Sequence, residues 1–369
     1  GTYLPTKDHT GSSSPTDPRD KNFHLDTDME IYGGFAGTET MLSQRDYVAN
    51  VTILSGDFND DDQVTGSGST LTFANNSENA YHVIITANLT AAAIIDGFTV
   101  KGGHADGSSS VAFSGLYFYS DYGGGIYNRS SSPNITNSNV YGNKANYGGG
   151  IFNYLSSPNI TNSNVYANQA AFYGGGIYNS SSSPNITNSI IWDNGSSEIF
   201  NSNNSAPTFQ FSIIKGSGGS SSWQSSYGTD GGSNLDADPL FVDAANGDFR
   251  LSVGSPAIDA GDNAAWTATG LTTDLGGNVR PQNSTVDIGA YEGGTIICSF
   301  STAIYVDSAA TTGNNDGTSW ANAFTNLQDA IDNHCGTAQI WVAAGTYLPT
   351  KDHTGSSSPT DPRDKNFHL

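Results

Sequence analysis

The 369-residue chain is poor in charge, in bases and in sulfur. Charged residues make up 13%, with only 13 Lys and Arg against 35 Asp and Glu, for a formal net charge of −22. So acidic a surface excludes nucleic acid and anionic membranes as electrostatic partners. Two Cys are too few for a disulfide scaffold. No apolar run approaches the roughly 18 residues of a membrane-spanning helix. Leu, Ile, Val and Phe supply only about a fifth of the chain, a level that with this charge borders on disorder. Gly is abundant, at 44 residues, but lacks the G-X-Y period of collagen. The chain does not begin with Met and shows no signal peptide, so its true start is expected upstream.

What the sequence does contain is repetition. Residues 1–25 recur unchanged at 345–369. Chance does not give such an identity. The alternatives are an artificial junction or a window on a tandem array with a period of 344 residues. A shorter period lies inside the unit. GGGIYN stands at Gly123–Asn128 and Gly174–Asn179, with GGGIFN at Gly148–Asn153. SPNITNS follows at Ser132, Ser157 and Ser183, and each repeat ends in NVYGN, NVYAN or IIWDN.

A repeat of about 25 residues with Gly triplets, Ser-Ser-Pro and alternating apolar pieces has no room for helix pairs. It reads as short strands separated by turns, one coil of a parallel β-helix. The expected fold class is all-β, a solenoid in which equivalent side chains stack. Ile126, Ile151 and Ile177 form one inward ladder, and Ile135, Ile160 and Ile186 another. Asn128, Asn153 and Asn179, and Asn134, Asn159 and Asn185, are candidate amide ladders, each carboxamide donating to one neighbour and accepting from the other. Tyr127, Phe152 and Tyr178 form a candidate aromatic stack.

Residues 304–344 read differently. Phe324, Leu327 and Ile331 recur at helical spacing between two strand-like pieces, predicting one short amphipathic helix that caps an open coil end. The expected order is therefore 304–344 as the N-terminal cap of the next unit, 1–103 as early irregular coils and 104–235 as regular coils. Residues 236–294 would be final coils and an irregular closing cap, 295–303 a connector, and 345–369 the start of the next unit.

The segments Tyr305–Tyr347, Ile31–Thr40, Ile94–Gly103, the GGGIYN/SPNITNS coils and the ADPLF…GSPAIDAG…DIGAYE ending (Ala237–Glu292) carry a resemblance. The chain resembles secreted bacterial right-handed parallel β-helix proteins of the polymorphic outer-membrane-protein-like and choice-of-anchor-Q type. The resemblance implies right-handed coiling and an extracellular or cell-surface location.

Chemistry is sparse. Asp57, Asn59 and Asp61 alternate in an acidic loop, a spacing that suits oxygen ligation of calcium; a solvated acidic turn is the alternative. Asp57, Asp60, Asp61 and Asp62 with His104 are the carboxylate set a polysaccharide lyase or hydrolase would need, but bases are scarce and no coil position repeats Asp or Glu. No catalytic residues are assigned. His9, His24, His82, His104 and His334 lack metal spacing and read as surface or turn residues. Cys298 and Cys335 flank the unit junction, where a disulfide fits the extracellular setting. Eleven N-x-S/T sequons read as a by-product of Asn-rich turns. Aromatics such as Tyr117, Tyr119, Tyr122, Tyr147, Phe172 and Tyr173 precede the Gly triplets, to pack on neighbouring coils or to stack on sugars.

The expected function is structural. The chain reads as one unit of an extracellular filament whose partners are further copies of itself. An adhesin stalk that binds glycans is the alternative, and a polysaccharide-cleaving enzyme the third reading.

Overall fold

The computed structural model describes residues 1–293, 303–311, 317–332 and 339–350, together with Arg363, Lys365 and Phe367. The chain divides into two compact units, Gly1–Glu292 and Gly293–Leu369.

The first unit is a parallel β-helix. Three long sheets run along it, each gaining one strand per coil. The first sheet holds seven strands, from Thr2–Tyr3 through Asn139–Tyr141, Asn164–Tyr166 and Ile190–Trp192 to Ile213–Ile214. The second holds six, from Phe23–Leu25 through Ile84–Ala87, Ile126–Arg129, Ile151–Tyr154 and Ile177–Ser180 to Ile199–Ser202. The third holds seven, from Glu30–Tyr32 through Ile94–Asp96, Asn134–Thr136, Asn159–Thr161, Asn185–Thr187 and Thr208–Gln210 to Thr229–Asp230. Every pairing within these sheets is parallel.

The register is the one the repeat predicts. Ile126 pairs with Ile151 and Ile151 with Ile177; Ile135 pairs with Ile160 and Ile160 with Ile186. These isoleucines, with Val140, Val165 and Ile191 of the first sheet, form one thin buried core. A one-residue slip would turn every ladder outward, so the apolar period fixes the register. The turn from third to first sheet needs a left-handed residue, and Asn137, Asn162 and Asn188 adopt φ near +50° there. The Gly triplets meet a second need. A Cβ on Gly150 would lie 2.6 Å from the Gly176 carbonyl oxygen and 2.9 Å from the Asn168 amide. Only glycine lets adjacent coils close up beside that side chain.

Early and late segments wrap the coils. Arg45 reaches from a loop to Asp96 at 2.5 Å, and the Tyr47 hydroxyl donates to the same carboxylate at 3.1 Å. The segment after the last coil is irregular, as expected, but it lies along the side of the stack. Phe241 and Phe249, on a hairpin of Phe241–Asp243 and Asp248–Leu251, pack on Tyr141 and Tyr166 of the first sheet's outer face. Ala257 and Ile288 are buried against Ile190, Trp192 and Ile213. A buried Arg280–Glu292 pair at 2.9 Å fastens its tail. The C-terminal end of the stack is plugged instead by Trp223 and Tyr227, which pack on the core beside Phe209.

In the second unit, Ala303–Val306 and Gln339–Val342 pair in parallel, with a helix at Leu327–Asp332 between them. Ile304, Val306, Phe324 and Ala330 form its core, and Leu327 packs against it. Phe324 thus lies before the helix rather than on it, and Ile331 is half-buried.

Candidate functional site

Four kinds of feature stand out on the coils: buried amide ladders, an acidic loop, an aromatic wall and buried ionisable groups.

The ladder through Asn128 is continuous. Asn128 donates to Asn153 at 2.9 Å, Asn153 to Asn179 at 2.8 Å, and Asn179 to Asn201 at 2.9 Å. The Thr86 hydroxyl donates to Asn128 at one end, and Asn201 donates to the Ser226 and Tyr227 carbonyls at the other. The ladder through Asn134 runs the opposite way: Asn185 donates to Asn159 at 3.2 Å and Asn159 to Asn134 at 2.8 Å, near the surface. A third ladder, through Asn143, Asn168 and Asn194, lies beyond the two that the repeat suggests. Asn143 donates to Asn168 and Asn168 to Asn194, both at 3.0 Å, while the Asn168 and Asn194 carbonyls also accept the backbone N–H of Asn143 and Asn168. The signal was present, since each repeat ends in an Asn at that position. Glu198 closes this ladder, accepting from the Asn194 amide at 2.5 Å. Burial pushes the Glu198 carboxyl up to about 8, against the opposing pull of the Asn194 hydrogen bonds. Serine rails run alongside. The backbone N–H of Ser131, Ser156 and Ser182 donates to the hydroxyl of Ser156, Ser182 and Ser205.

In the acidic loop, the buried Asp57 carboxylate accepts the backbone N–H groups of Asn59, Asp61 and Asp62 at 3.2, 3.4 and 3.1 Å. Asp57 and Asp61 come together as expected, and the third acid beside them is Glu78, with all three offering oxygens within 4.8 Å of one another. Sequence spacing could not find Glu78, which arrives from the far side of a hairpin made by Gln63–Thr65 and Thr72–Ala74. Asn59 enters through its backbone. Carboxylate oxygens of this kind suit a hard cation such as calcium. Asp62 beside them is pushed up to about 7 by burial and by the charges of Asp57, Glu78 and Asp61, opposed by the Asn79 amide, which donates to it at 2.7 Å.

The aromatic wall lines the outer face of the second sheet. Tyr127, Phe152, Tyr178 and Phe200 follow one another, but edge to face, with centroids 4.9, 5.0 and 5.1 Å apart and planes at 73–90°. The quadrupole favours that arrangement over a flat stack at the coil spacing. Flat stacking occurs further out, where Tyr147 lies on Tyr122 at 4.7 Å and Phe172 lies 5.1 Å from Tyr147. A groove of about 800 Å³ opens beside them, lined by Tyr119, Tyr122, Arg129, Asn146, Tyr154 and Tyr178 among others. The Arg129 guanidinium lies over the Tyr154 ring at 4.7 Å.

Two histidines expected at the surface are buried. His82 Nδ1 lies 2.9 Å from the Gly123 carbonyl oxygen, and burial holds its imidazole down at about 4. His104 Nδ1 lies 2.7 Å from the Asn76 carbonyl oxygen, and its Nε2 lies 3.6 Å from Asp106. Cys298, Cys335 and His334 lie outside the described residues. No helix among the described residues is long and apolar enough to cross a membrane.

Comparison with family models, curated proteins and solved structures finds no match.

Proposed function

We propose that the chain is a unit of an extracellular or cell-surface filament built from tandem β-helical repeats. The observation that carries this reading is the unbroken identity of residues 1–25 and 345–369, the second copy following a β–α–β segment. A repeat of 344 residues, restarted in register, is what a covalent array requires. The stacked coils support a mechanical role. Tension along the stack is shared by inter-coil backbone bonds and by amide ladders that run parallel to them. In this reading the partners are further copies of the same unit, and the chemistry is cohesion rather than catalysis. Peptide mapping of the native material tests it: a peptide that joins the 345–369 sequence to Asp26 and beyond, downstream of a complete unit, supports the array.

A second reading has its own observation. The groove beside Tyr119, Tyr122 and Tyr154 combines flat aromatic faces with Arg129 and Asn146, the pairing that neutral and acidic sugars use. An adhesin stalk would bind glycans there. Glycan-array binding that Tyr122→Ala and Arg129→Ala abolish supports it.

A further inference from the structure

The first coil shows where its own core stops. Tyr3 pairs with Leu54 and Leu54 with Val100, so Tyr3 holds the inward position of the first sheet. Phe23 heads the second-sheet ladder next to Ile84, and Ile31 heads the third next to Ile95. One coil further in, Leu54, Ile84 and Ile95 are buried. Tyr3 is 56% exposed, and Phe23 and Ile31 are half-buried. Between them lies a mostly apolar hollow of about 420 Å³, lined by Phe23, Leu25, Ile31, Leu54, Ile84 and Phe98. Ladders whose last rungs face water mark an uncovered end with an unpaired strand edge.

The chain carries the same tyrosine in a second setting. Tyr347 is the twin of Tyr3, and Thr350 of Thr6. Tyr347 packs against the Ile304, Val306, Phe324 and Ala330 core. Its hydroxyl lies 3.0 Å from the Ala343 carbonyl oxygen and 3.4 Å from that of Val306, and accepts the Ser308 N–H at 3.3 Å. Asn326 donates to the Thr350 hydroxyl at 3.0 Å. Three residues separate Val342, the end of the second strand, from Thr346, the twin of Thr2. Charge agrees: residues 304–344 contain four Asp and no Lys or Arg, while Lys7 stands on the rim of the hollow.

We propose that the uncovered end of the β-helix is completed by a β–α–β segment of the 304–344 sequence belonging to the preceding unit, with Tyr3 as the residue that latches the two. The proposal rests on the tandem-array reading and adds the joint. The segment supplies strands to the free edge and covers the hollow, while Tyr3 is held as Tyr347 is. A rod made this way is stiff at its junctions, because its core runs from one unit into the next.

The test is the full chain extended at its N-terminus by a second copy of residues 304–344, so that Ala344 precedes Gly1. Amide exchange is followed at Glu30–Tyr32 and Ile53–Ser55, whose sequences occur once and are not confused with the duplicate. The extension is expected to slow exchange at both sites and to raise the melting temperature by several degrees. Tyr3→Ala is expected to reverse that gain in the extended chain while barely moving the unextended one. Should Tyr3→Ala fail to fold, Tyr3→Phe keeps the ring and is expected to return part of the gain. Unchanged exchange in the extended chain, or a gain that survives Tyr3→Ala, overturns the proposal. So does the same protection arising in the unextended chain by a dimer that dissociates on dilution, which would put a free copy on this end. Each of these leaves the array standing with loosely strung units; the array itself is tested separately on native material.

Discussion

Asn168 shows what a single residue does in this fold. Its fully buried side chain donates to Asn194, accepts from Asn143 and takes a backbone N–H as well. Removing it strands donors on one side and an acceptor on the other. Asn168→Ala is expected to cost about 2–4 kcal/mol in urea unfolding, as buried groups lose their partners. Asn159→Ala, in the ladder near the surface, is expected to cost under about 1 kcal/mol, because water replaces the amide. Equal costs would mean that the buried ladder has no special part in cohesion. Asp62 gives a pH-dependent case. Its carboxyl is raised to about 7, so the folded state favours the protonated form and ionisation weakens the fold as pH rises from about 4 through 7. Asp62→Asn is therefore expected to raise the melting temperature most at pH 8, less at pH 5, and to leave it unchanged at pH 3.

At the scale of elements, the coils were legible and their coverings were not. Ile, Asn and Gly recur every 25 or 26 positions, and in a parallel stack each recurrence is a contact, so the register followed from alignment of the chain with itself. The side segment could not be placed that way. Its contacts join residues far apart and dissimilar, as in the bond from Asn139 to the Tyr291 hydroxyl, and no period announces them. The same holds for Glu78 beside Asp57, and for Trp223, which closes the C-terminal end from an irregular loop. A stack of this kind opens from its ends, since each coil contacts mainly its neighbours. Trp223→Ala is expected to cost about 2–3 kcal/mol and to speed amide exchange in Thr208–Gln210 and Thr229–Asp230, while Ile151–Tyr154 stays protected. Uniform acceleration along the stack would contradict this picture.

For the whole molecule, buried ionisable groups set a window of stability. Glu198, Asp62, Asp20 and Asp274 are raised by burial to about 8, 7, 6 and 6. Each binds its proton more tightly folded than unfolded, so each withdraws stability as pH climbs from about 4 towards 8. His82 acts from the other side. Held down at about 4, it favours the folded state above its unfolded value near 6.5 and withdraws that support as pH falls to about 4. With four carboxyls set against one imidazole, the melting temperature is expected to fall as pH climbs from about 4 to 8, and Glu198→Gln to flatten that fall. A maximum above pH 8 would contradict these assignments. The near-disordered composition has its explanation at this scale too. Apolar residues are few because each coil adds only a few inward side chains to the core, and inter-coil backbone bonds and amides supply the rest of the cohesion.

In the proposed function such stacks are joined end to end in a natural filament. Cryo-electron microscopy of the native material tests it most directly. Filaments are expected with an axial spacing near 4.8 Å from the coils, together with a longer repeat equal to one 344-residue unit. Discrete particles that each hold a single β-helix would contradict it.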